Sequence, residues 1–438
     1  MRGASPRTSF RAAAYLASRV RFGMKFGLET SQALAAALGH PERAYQTLLV
    51  AGTNGKGSVV AYLDAALRAS GLHVGRYTSP HLVRVHERIV VDGREITEAA
   101  LARAVSRVRD AAARLVARDR IQAHPTYFEV LTLAAFDHFR RARVEVAVLE
   151  VGLGGGLDAT NISDPLASAI VSIDRDHEAY LGTTLSAIAR EKAGVMRTGR
   201  TVVTGPLPPA ASRTIRAEAR RSGARLVDAL RGSRLTVARP HAGSLPDEAP
   251  FTVVTRSRSY AQILALPGRH QRDNALVAIR LLEEAHAAGL PVDLRRVPQA
   301  FRATSWPGRL QHLSGGLILD GAHNPAGARA LAAYLRPRRP LVLVFGVMSD
   351  KAVGPMASAL FPLAAEVILT RAPGRRAASP GSIAVVAGKH GRRARLEPSV
   401  GRALRLARRL ASPDVPVVVA GSLYLVGAVL ALRSRSRK

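Results

Sequence analysis

The stretch "LLVAGTNGKGSVVAYLDAAL" (48–67) reads as a strand, a tight glycine loop and a helix. It nearly spells the phosphate-binding pattern G-x-x-x-x-G-K-[ST], in which backbone N–H groups and a helix N-terminus face a phosphate. Two places differ. The opening glycine would fall at Val50, and Lys56 is followed by Gly57, so the hydroxyl arrives one place late, at Ser58. Gly52, Gly55 and Gly57 still supply backbone freedom around Thr53 and Asn54, Lys56 a charge for terminal phosphates, and Ser58 a hydroxyl for Mg²⁺. A glycine-rich turn that binds nothing would have a similar spelling. Scarcity favours function: only six of the 64 basic residues are lysine (25, 56, 192, 351, 389 and 438), and one stands where a phosphate loop needs it.

Around this stretch, strand-like and helix-like segments alternate. "QTLLVAG" (46–52), "HVGRYTS" (73–79), "VEVAVLEVG" (144–152), "LASAIVSID" (166–174) and "TVVTG" (201–205) read as strands, the last closing the series. The run 144–152 has the apolar composition of a strand buried on both faces of a parallel sheet. "LSAIAREKAG" (185–194) reads as a helix ended by a glycine cap. The pattern weakens over 205–265, which suggests a β-rich insertion or small subdomain. A long helix follows at 271–288, and 290–311, with three prolines, reads as a linker.

A second alternation runs through "GLILDGAHN" (316–324), a helix opening at Pro325, and strands at 340–348, 365–371 and 415–422. Such alternation predicts parallel, doubly wound sheets. The expected fold is therefore α/β: a P-loop-type parallel-sheet ATPase domain over 1–296, then a smaller Rossmann-like domain over 297–438, with a cleft between them.

The bulk numbers bound the function. With 438 residues, two or three domains are expected. The absence of cysteine excludes disulfides and thiol chemistry and suits a cytoplasmic setting. The apolar run "LYLVGAVLAL" (423–432) is about half the length a membrane span needs and reads as a core helix, so no membrane partner is expected. The formal charge of +32 invites a nucleic-acid reading. The arginines, however, are spread along the whole chain with no aromatic-interleaved basic stretch, so a compositional bias explains them better. A general positive field would favour nucleotides and polycarboxylates. The first 28 residues contain Arg but no acid, as transit peptides do; the same bias accounts for that, and no targeting segment is expected.

Two further stretches carry chemistry. "LEVGLGGGLDATN" (149–161) is not a dinucleotide fingerprint, because the third glycine of G-x-G-x-x-G is replaced by Leu157. Its glycines suit close approach of a substrate. Glu150, at the carboxyl end of a strand, is either a surface charge or a Mg²⁺ ligand, an ion that needs one or two carboxylates beside phosphate oxygens. "DRDHEAYLGTTLSAIAREKAG" (174–194) gathers His177 and Lys192. A lone His is usually structural and a lone helical Lys usually solvated, but this lysine ends a helix that follows a potential metal loop.

These pieces occur in order with "TSPHL" (78–82), "ERIVVDG" (87–93), "TYFEVLTLAAF" (126–136), "GRHQRDNA" (268–275), "PGRLQ" (307–311), "LDGAHNPAGA" (319–328) and "FGVMSDK" (345–351). Together they resemble the folylpolyglutamate synthase and dihydrofolate synthase family of the Mur-ligase superfamily, over nearly the whole chain, and the short loop with Gly between Lys and Ser is that family's form. The resemblance implies an ATP-dependent carboxylate–amine ligase. ATP converts an acceptor carboxylate to an acyl phosphate, the amine of L-glutamate attacks it, and phosphate leaves. The acceptor would be dihydropteroate, the γ-carboxylate of tetrahydrofolates, or both; members with a "TYFE" segment are often bifunctional. A single activity, or another Mur-type ligation, is the alternative, though a UDP-sugar ligase would need an extra domain before the loop.

The resemblance also carries residue roles. Gly52 through Ser58 would hold ATP phosphates, with Asn274, Arg309 and Asp320 at the nucleotide. Ser58, Ser79, Glu150 and His177 match magnesium ligands. Lys192 matches a lysine carried as a CO₂-derived carbamate, its alternative being an unmodified amine paired with an acid. Lys56, Lys192, His177 and His323 would serve catalysis. Ser79, His81, Thr126, Phe128, Leu157 and Asp158 match the pterin and folate side, where Phe128 would stack on a flat ring or simply pack in the core. One or two Mg²⁺ and a monovalent cation such as K⁺ are implied, with small-molecule substrates, no nucleic acid and a monomeric chain. The sequence departs from the family at Gly156, usually Arg, at Asp174 and Arg175, and over 370–380.

Overall fold

The computed structural model describes residues 12–19, 27–240, 246–388 and 394–435. Most of the N-terminal segment read for targeting lies outside these residues.

Two α/β units carry the chain. The first is an eight-stranded sheet in the order β4-β3-β2-β5-β1-β6-β7-β8. Its strands are β1 (Gln46–Ala51), β2 (Val74–Tyr77), β3 (Ile89–Val91), β4 (Arg94–Glu95), β5 (Val146–Glu150), β6 (Ala167–Ile170), β7 (Thr201–Thr204) and β8 (Arg225–Asp228). All neighbours from β2 to β8 pair in parallel; β3 and β4 add an antiparallel edge. The central strands are buried throughout, as their unbroken apolar runs require, with helices covering both faces. Register sets the site: Val50 pairs with Glu150, and Ala51 with Ile170. Three strands therefore end side by side, and the loops after them share one rim, where open α/β sheets bind ligands.

The region 205–265 holds the helix Pro209–Ser222, then β8, then an antiparallel three-stranded sheet of β9 (Arg234–Val237), β10 (Phe251–Val254) and β11 (Ser259–Ile263). The parallel series thus does not close at residue 205. It gains β8, whose RLVD sequence is partly exposed at the edge and lacks an apolar run. Gly194 also has a different reason from a left-handed cap. Its φ is −60°, and a Cβ there would lie 2.2 Å from Gly156 Cα, so two backbones meet where no side chain fits.

The stretch 290–311 is more than a linker. It forms the helix Val297–Arg302, whose Val297, Ala300 and Phe301 pack into the core of the first unit, Phe301 stacking on Tyr62 at 4.5 Å.

The second unit is a six-stranded sheet ordered β12-β13-β17-β14-β15-β16. It comprises β12 (Gln311–Leu313), β13 (Leu317–Leu319), β14 (Leu341–Phe345), β15 (Ala364–Leu369), β16 (Arg395–Leu396) and β17 (Val417–Ala420). All pairs are parallel except β12 with β13. The helix Pro325–Leu335 opens at Pro325 as read, and Asn324 caps it by accepting from Gly327 N. The final helix Leu423–Arg435 buries Leu425, Val426 and Val429. Among the described residues no helix is long and apolar enough to cross a membrane. The two units interlock at Leu82, which packs with the core of the second; a Cβ on Gly427 would lie only 1.9 Å from the Leu82 carbonyl oxygen.

Candidate active site

The glycine loop leaves β1 and enters the helix Lys56–Ala69, with Gly55 at φ +84°. It is pinned to the end of β6: Thr53 N donates to Ser172 O, Asn54 N to Ser172 Oγ, and Asp174 N to Thr53 Oγ1. The space is tight. A Cβ on Gly55 would lie 2.4 Å from Asn274 Oδ1, and one on Gly57 2.9 Å from the indole nitrogen of Trp306. Asn274 therefore adjoins the loop, donating to Gln271 Oε1 at 2.9 Å, while Gln271 Nε2 donates to Ser58 Oγ at 3.2 Å. Ser58 is buried in this contact.

At the floor of the loop two ammonium groups share one acceptor. Lys56 Nζ and Lys192 Nζ each donate to Gly52 O at 3.0 Å. Neither has a carboxylate within ion-pairing distance among the described residues. Lys192 is 3 % exposed, and burial, reinforced by the Lys56 charge, lowers its pKa from 10.5 to about 7. Glu150 sits opposite, its carboxyl raised by burial against the opposing pull of Lys56, and its Oε2 accepts from Ser79 N at 3.1 Å. Arg309 adds positive potential at Glu150 from the second unit. His177, in the left-handed region at φ 53°, is lowered to about 4 by burial, opposed by Asp176, and is neutral at pH 7. Lys56 thus lies electrostatically between Glu150, His177 and Lys192.

Residues that the sequence reading left unassigned complete this rim. Asp176 accepts from Lys351 Nζ at 2.5 Å and from Asn324 Nδ2 at 3.0 Å, with His323 Nε2 3.6 Å away. Asn324 also bonds Asn54, and Arg329 pairs with Asp174 at 3.1 Å. Hydrogen bonding and these positive neighbours hold the Asp176 carboxyl far below its usual range despite burial. The signal was within reach: Asp176 and Lys351 lie inside the quoted motifs, and lysine is rare. His323 Nδ1 donates to Gly321 O, which leaves Nε2 toward Asp176. Asp320 is occupied, its oxygens accepting from Leu310 N at 2.9 Å and Ala322 N at 2.8 Å, so it shapes the turn that carries His323.

The expected acceptor side is different in kind. Thr126 caps the helix Tyr127–Ala142 in a reciprocal box with Glu129. Asp158 accepts from Leu153 N, Thr160 N and Thr160 Oγ1, and burial raises its carboxyl. His81 accepts from Arg88 Nε at 2.9 Å, and burial lowers it to about 4. Phe128 is half-buried against Tyr77 and closes on Gly152, where a Cβ would come within 2.5 Å of its ring. Leu157 stands 45 % exposed.

Among the described residues no group of three His, Asp or Glu could cage a metal. The residues present still fit a polyphosphate with Mg²⁺. Two lysine amines lacking carboxylate partners among the described residues suit a polyanion, and one buried carboxylate and one neutral imidazole, each within reach of the Lys56 charge, suit an ion that takes its other ligands from phosphate and water.

Comparison with known proteins decides the family. Residues 50–282 match the Mur ligase middle domain and 308–423 the Mur ligase glutamate ligase domain. The folylpolyglutamate synthase of Lacticaseibacillus casei is 35 % identical over 404 residues, 90 % of this chain and 92 % of that one. The chain belongs to the folylpolyglutamate synthase/dihydrofolate synthase family of Mur ligases. A probable bifunctional folylpolyglutamate synthase/dihydropteroate synthase of Haloferax volcanii is 38 % identical over 93 % of this chain, which spans only 48 % of that relative's length. Among solved structures of the family, E. coli FolC in complex with DHPP and ADP superposes with a TM-score of 0.86 at 30 % identity, covering 99 % of this chain and 100 % of that one. The bifunctional synthase of Yersinia pestis with AMPPNP and Mn ion gives 0.84 at 32 % identity, over 98 % and 100 %. Both likenesses span the two α/β units.

Proposed function

We propose that this chain is an ATP-dependent ligase joining L-glutamate both to dihydropteroate and to the γ-carboxylate of tetrahydrofolates. The observation that carries the reading is the pair of lysine amines on Gly52 O, Lys192 buried and Lys56 partly so, with Glu150 within reach of the Lys56 charge. An acceptor carboxylate attacks the γ-phosphorus of ATP and ADP leaves. The glutamate nitrogen then attacks the acyl carbon and phosphate departs, leaving an amide. Loop N–H groups from Gly55 to Ser58 and the Lys56 charge hold the phosphates and offset the negative charge that crowds there as the first bond forms, while the N–H groups of Thr53 and Asn54 pin the loop to Ser172. Asn274, Arg309 and Asp320 bound the nucleotide from the far side. Ser79, Glu150 and His177 would hold Mg²⁺, with Ser58 contributing if its hydroxyl turns from Gln271. A divalent ion held there would supply positive charge against the phosphates.

Lys192 is proposed as the carbamate. Its pKa of about 7 leaves a large neutral fraction at physiological pH, and only the neutral amine adds CO₂. His323, held between Gly321 O and Asp176, faces the cleft from the second unit and is assigned to placing glutamate. Phe128, Leu157 and His81 form the acceptor wall, with Thr126 and Asp158 shaping it. The first unit is taken as the nucleotide and acceptor domain and the second as the glutamate domain. Their join is placed after Arg302 rather than at 296/297, since Val297, Ala300 and Phe301 belong to the first core. The chain is assigned to the cytoplasm, consistent with its lack of cysteine.

The test is phosphate release from Mg-ATP and L-glutamate with each acceptor in turn. Release with both is expected. Release with one assigns a single activity, and none above background with either overturns the ligase reading.

A further inference from the structure

The departure of the loop from the common phosphate-binding pattern has a physical counterpart 249 residues further along the chain. At Gly57, where the common pattern places Ser or Thr, a Cβ would stand 2.9 Å from Trp306 Nε1 and 3.2 Å from Cε2 and Cζ2. The neighbour is a rigid ring, so it cannot bend aside as a flexible side-chain tip would. The ring is itself held. Arg76 lies over it at 5.0 Å and reaches Asp64 Oδ2 at 3.3 Å. Asp64 is 1 % exposed and also bound by Arg68. Gly57 and Asp64 are seven residues apart, two turns along one face of the helix Lys56–Ala69. Indole, guanidinium and carboxylate thus form one column along the helix that opens at the glycine loop. The same crossing segment stacks Phe301 on Tyr62 at 4.5 Å. Three residues beyond Trp306, Arg309 adds its charge at Glu150, and Gly308 O accepts from Gly321 N at 2.8 Å.

We propose that Trp306 is a positioning residue of the phosphate loop: its indole is the wall that fixes the first turn of the loop helix, forces glycine at 57, and ties that turn to the segment joining the two units. The proposal rests on the reading that this loop holds ATP phosphates.

Trp306 is the sole tryptophan of the chain, so its emission reports the contact directly. The full-length protein is titrated with Mg-ADP while tryptophan emission and, separately, binding heat are recorded. A saturating emission change with the midpoint of the heat is expected. Gly57→Ala, Trp306→Ala, Trp306→Phe and the double variant Gly57→Ala/Trp306→Ala are then compared in steady state, with circular dichroism to check folding. Gly57→Ala and Trp306→Ala should each raise KM for ATP by about tenfold, leaving KM for glutamate within about twofold. Trp306→Phe should keep KM for ATP within about threefold. In the Trp306→Ala background, Gly57→Ala should add less than about threefold, because the indole no longer occupies that space. Silent emission despite measured binding heat overturns the proposal, as do single effects that multiply in the double variant. Unchanged KM for ATP in Trp306→Ala overturns it too. Absence of binding heat in the unsubstituted protein overturns the phosphate-loop reading itself, and this proposal with it.

Discussion

The two walls of the proposed site carry residues of equal standing in the sequence motifs and unequal standing in the structure. On the proposed nucleotide side, Lys56 and Lys192 share a single backbone carbonyl and have no carboxylate partner among the described residues. On the proposed acceptor side, Thr126 and Asp158 have their hydrogen-bonding capacity taken up by helix starts and turns. A charge held in a fold without a counter-charge is costly unless something else supplies one. A capped Thr or a saturated Asp is at rest. Motif membership therefore indicates proximity to the site, while unspent electrostatic capacity indicates contact with ligand.

The sharpest way to break this contrast is substitution of the lysines. Lys56→Ala should lower phosphate release by a factor on the order of 10³, as removal of a group that stabilises transition-state charge does, and Lys192→Ala should lower it comparably by removing the proposed carbamate; retained turnover would erase the distinction between the walls. For Lys192→Ala, partial recovery with short carboxylates is expected if a carbamate is what was lost. The pH dependence comes next. With Lys192 at about 7, its neutral fraction rises about tenfold between pH 6 and pH 8, and a carbamate signal from ¹³CO₂ in NMR should rise with it. The sign for stability agrees. Between about 7 and 10.5 the unfolded chain binds the extra proton, so this group makes stability rise with pH in that window and contributes no slope below it.

On the acceptor wall, Phe128→Ala should raise KM for the acceptor about tenfold and leave KM for ATP unchanged, the loss expected when an aromatic face is removed. A shift in melting without a change in KM would make Phe128 plain packing. Asp158→Asn should act on stability, by about 2 kcal/mol in denaturant unfolding, because an amide nitrogen would be turned on buried N–H donors. Thr126→Ala should cost about 1 kcal/mol as a lost helix cap, with KM for either substrate nearly unmoved. A larger effect on acceptor binding than on melting would move Thr126 into direct contact with the substrate.

What was legible in the sequence follows the same division. Strands buried on both faces announced themselves as apolar runs, and the loop after β1 as glycines around a lysine. The edge strands β8 and β16 did not, because RLVD and RL are exposed or partly so and have no apolar pattern to show. Gly194 does cap its helix as read, but the reason it is glycine, the close Gly156 backbone, is tertiary. Asp176 sat in plain view beside His177, but its meaning lies in partners 148 and 175 residues away, and no periodicity connects them. Gly57 was visible as an irregularity, and only the fold shows the indole that requires it.

The distribution of lysine has one more consequence. Lys56, Lys192 and Lys351 are the three lysines among the described residues, and all converge on the rim around Gly52 and Asp176. Elsewhere in that part of the chain every fixed cation is arginine. A guanidinium cannot give up its proton near neutrality and spreads its charge over a plane; an amine can, and concentrates it at one atom. Exchanging these three for arginine would leave the net charge of +32 untouched while removing every amine side chain among the described residues. Among the described residues, bulk positive potential thus falls to arginine, and the localised amine charges at the rim to lysine.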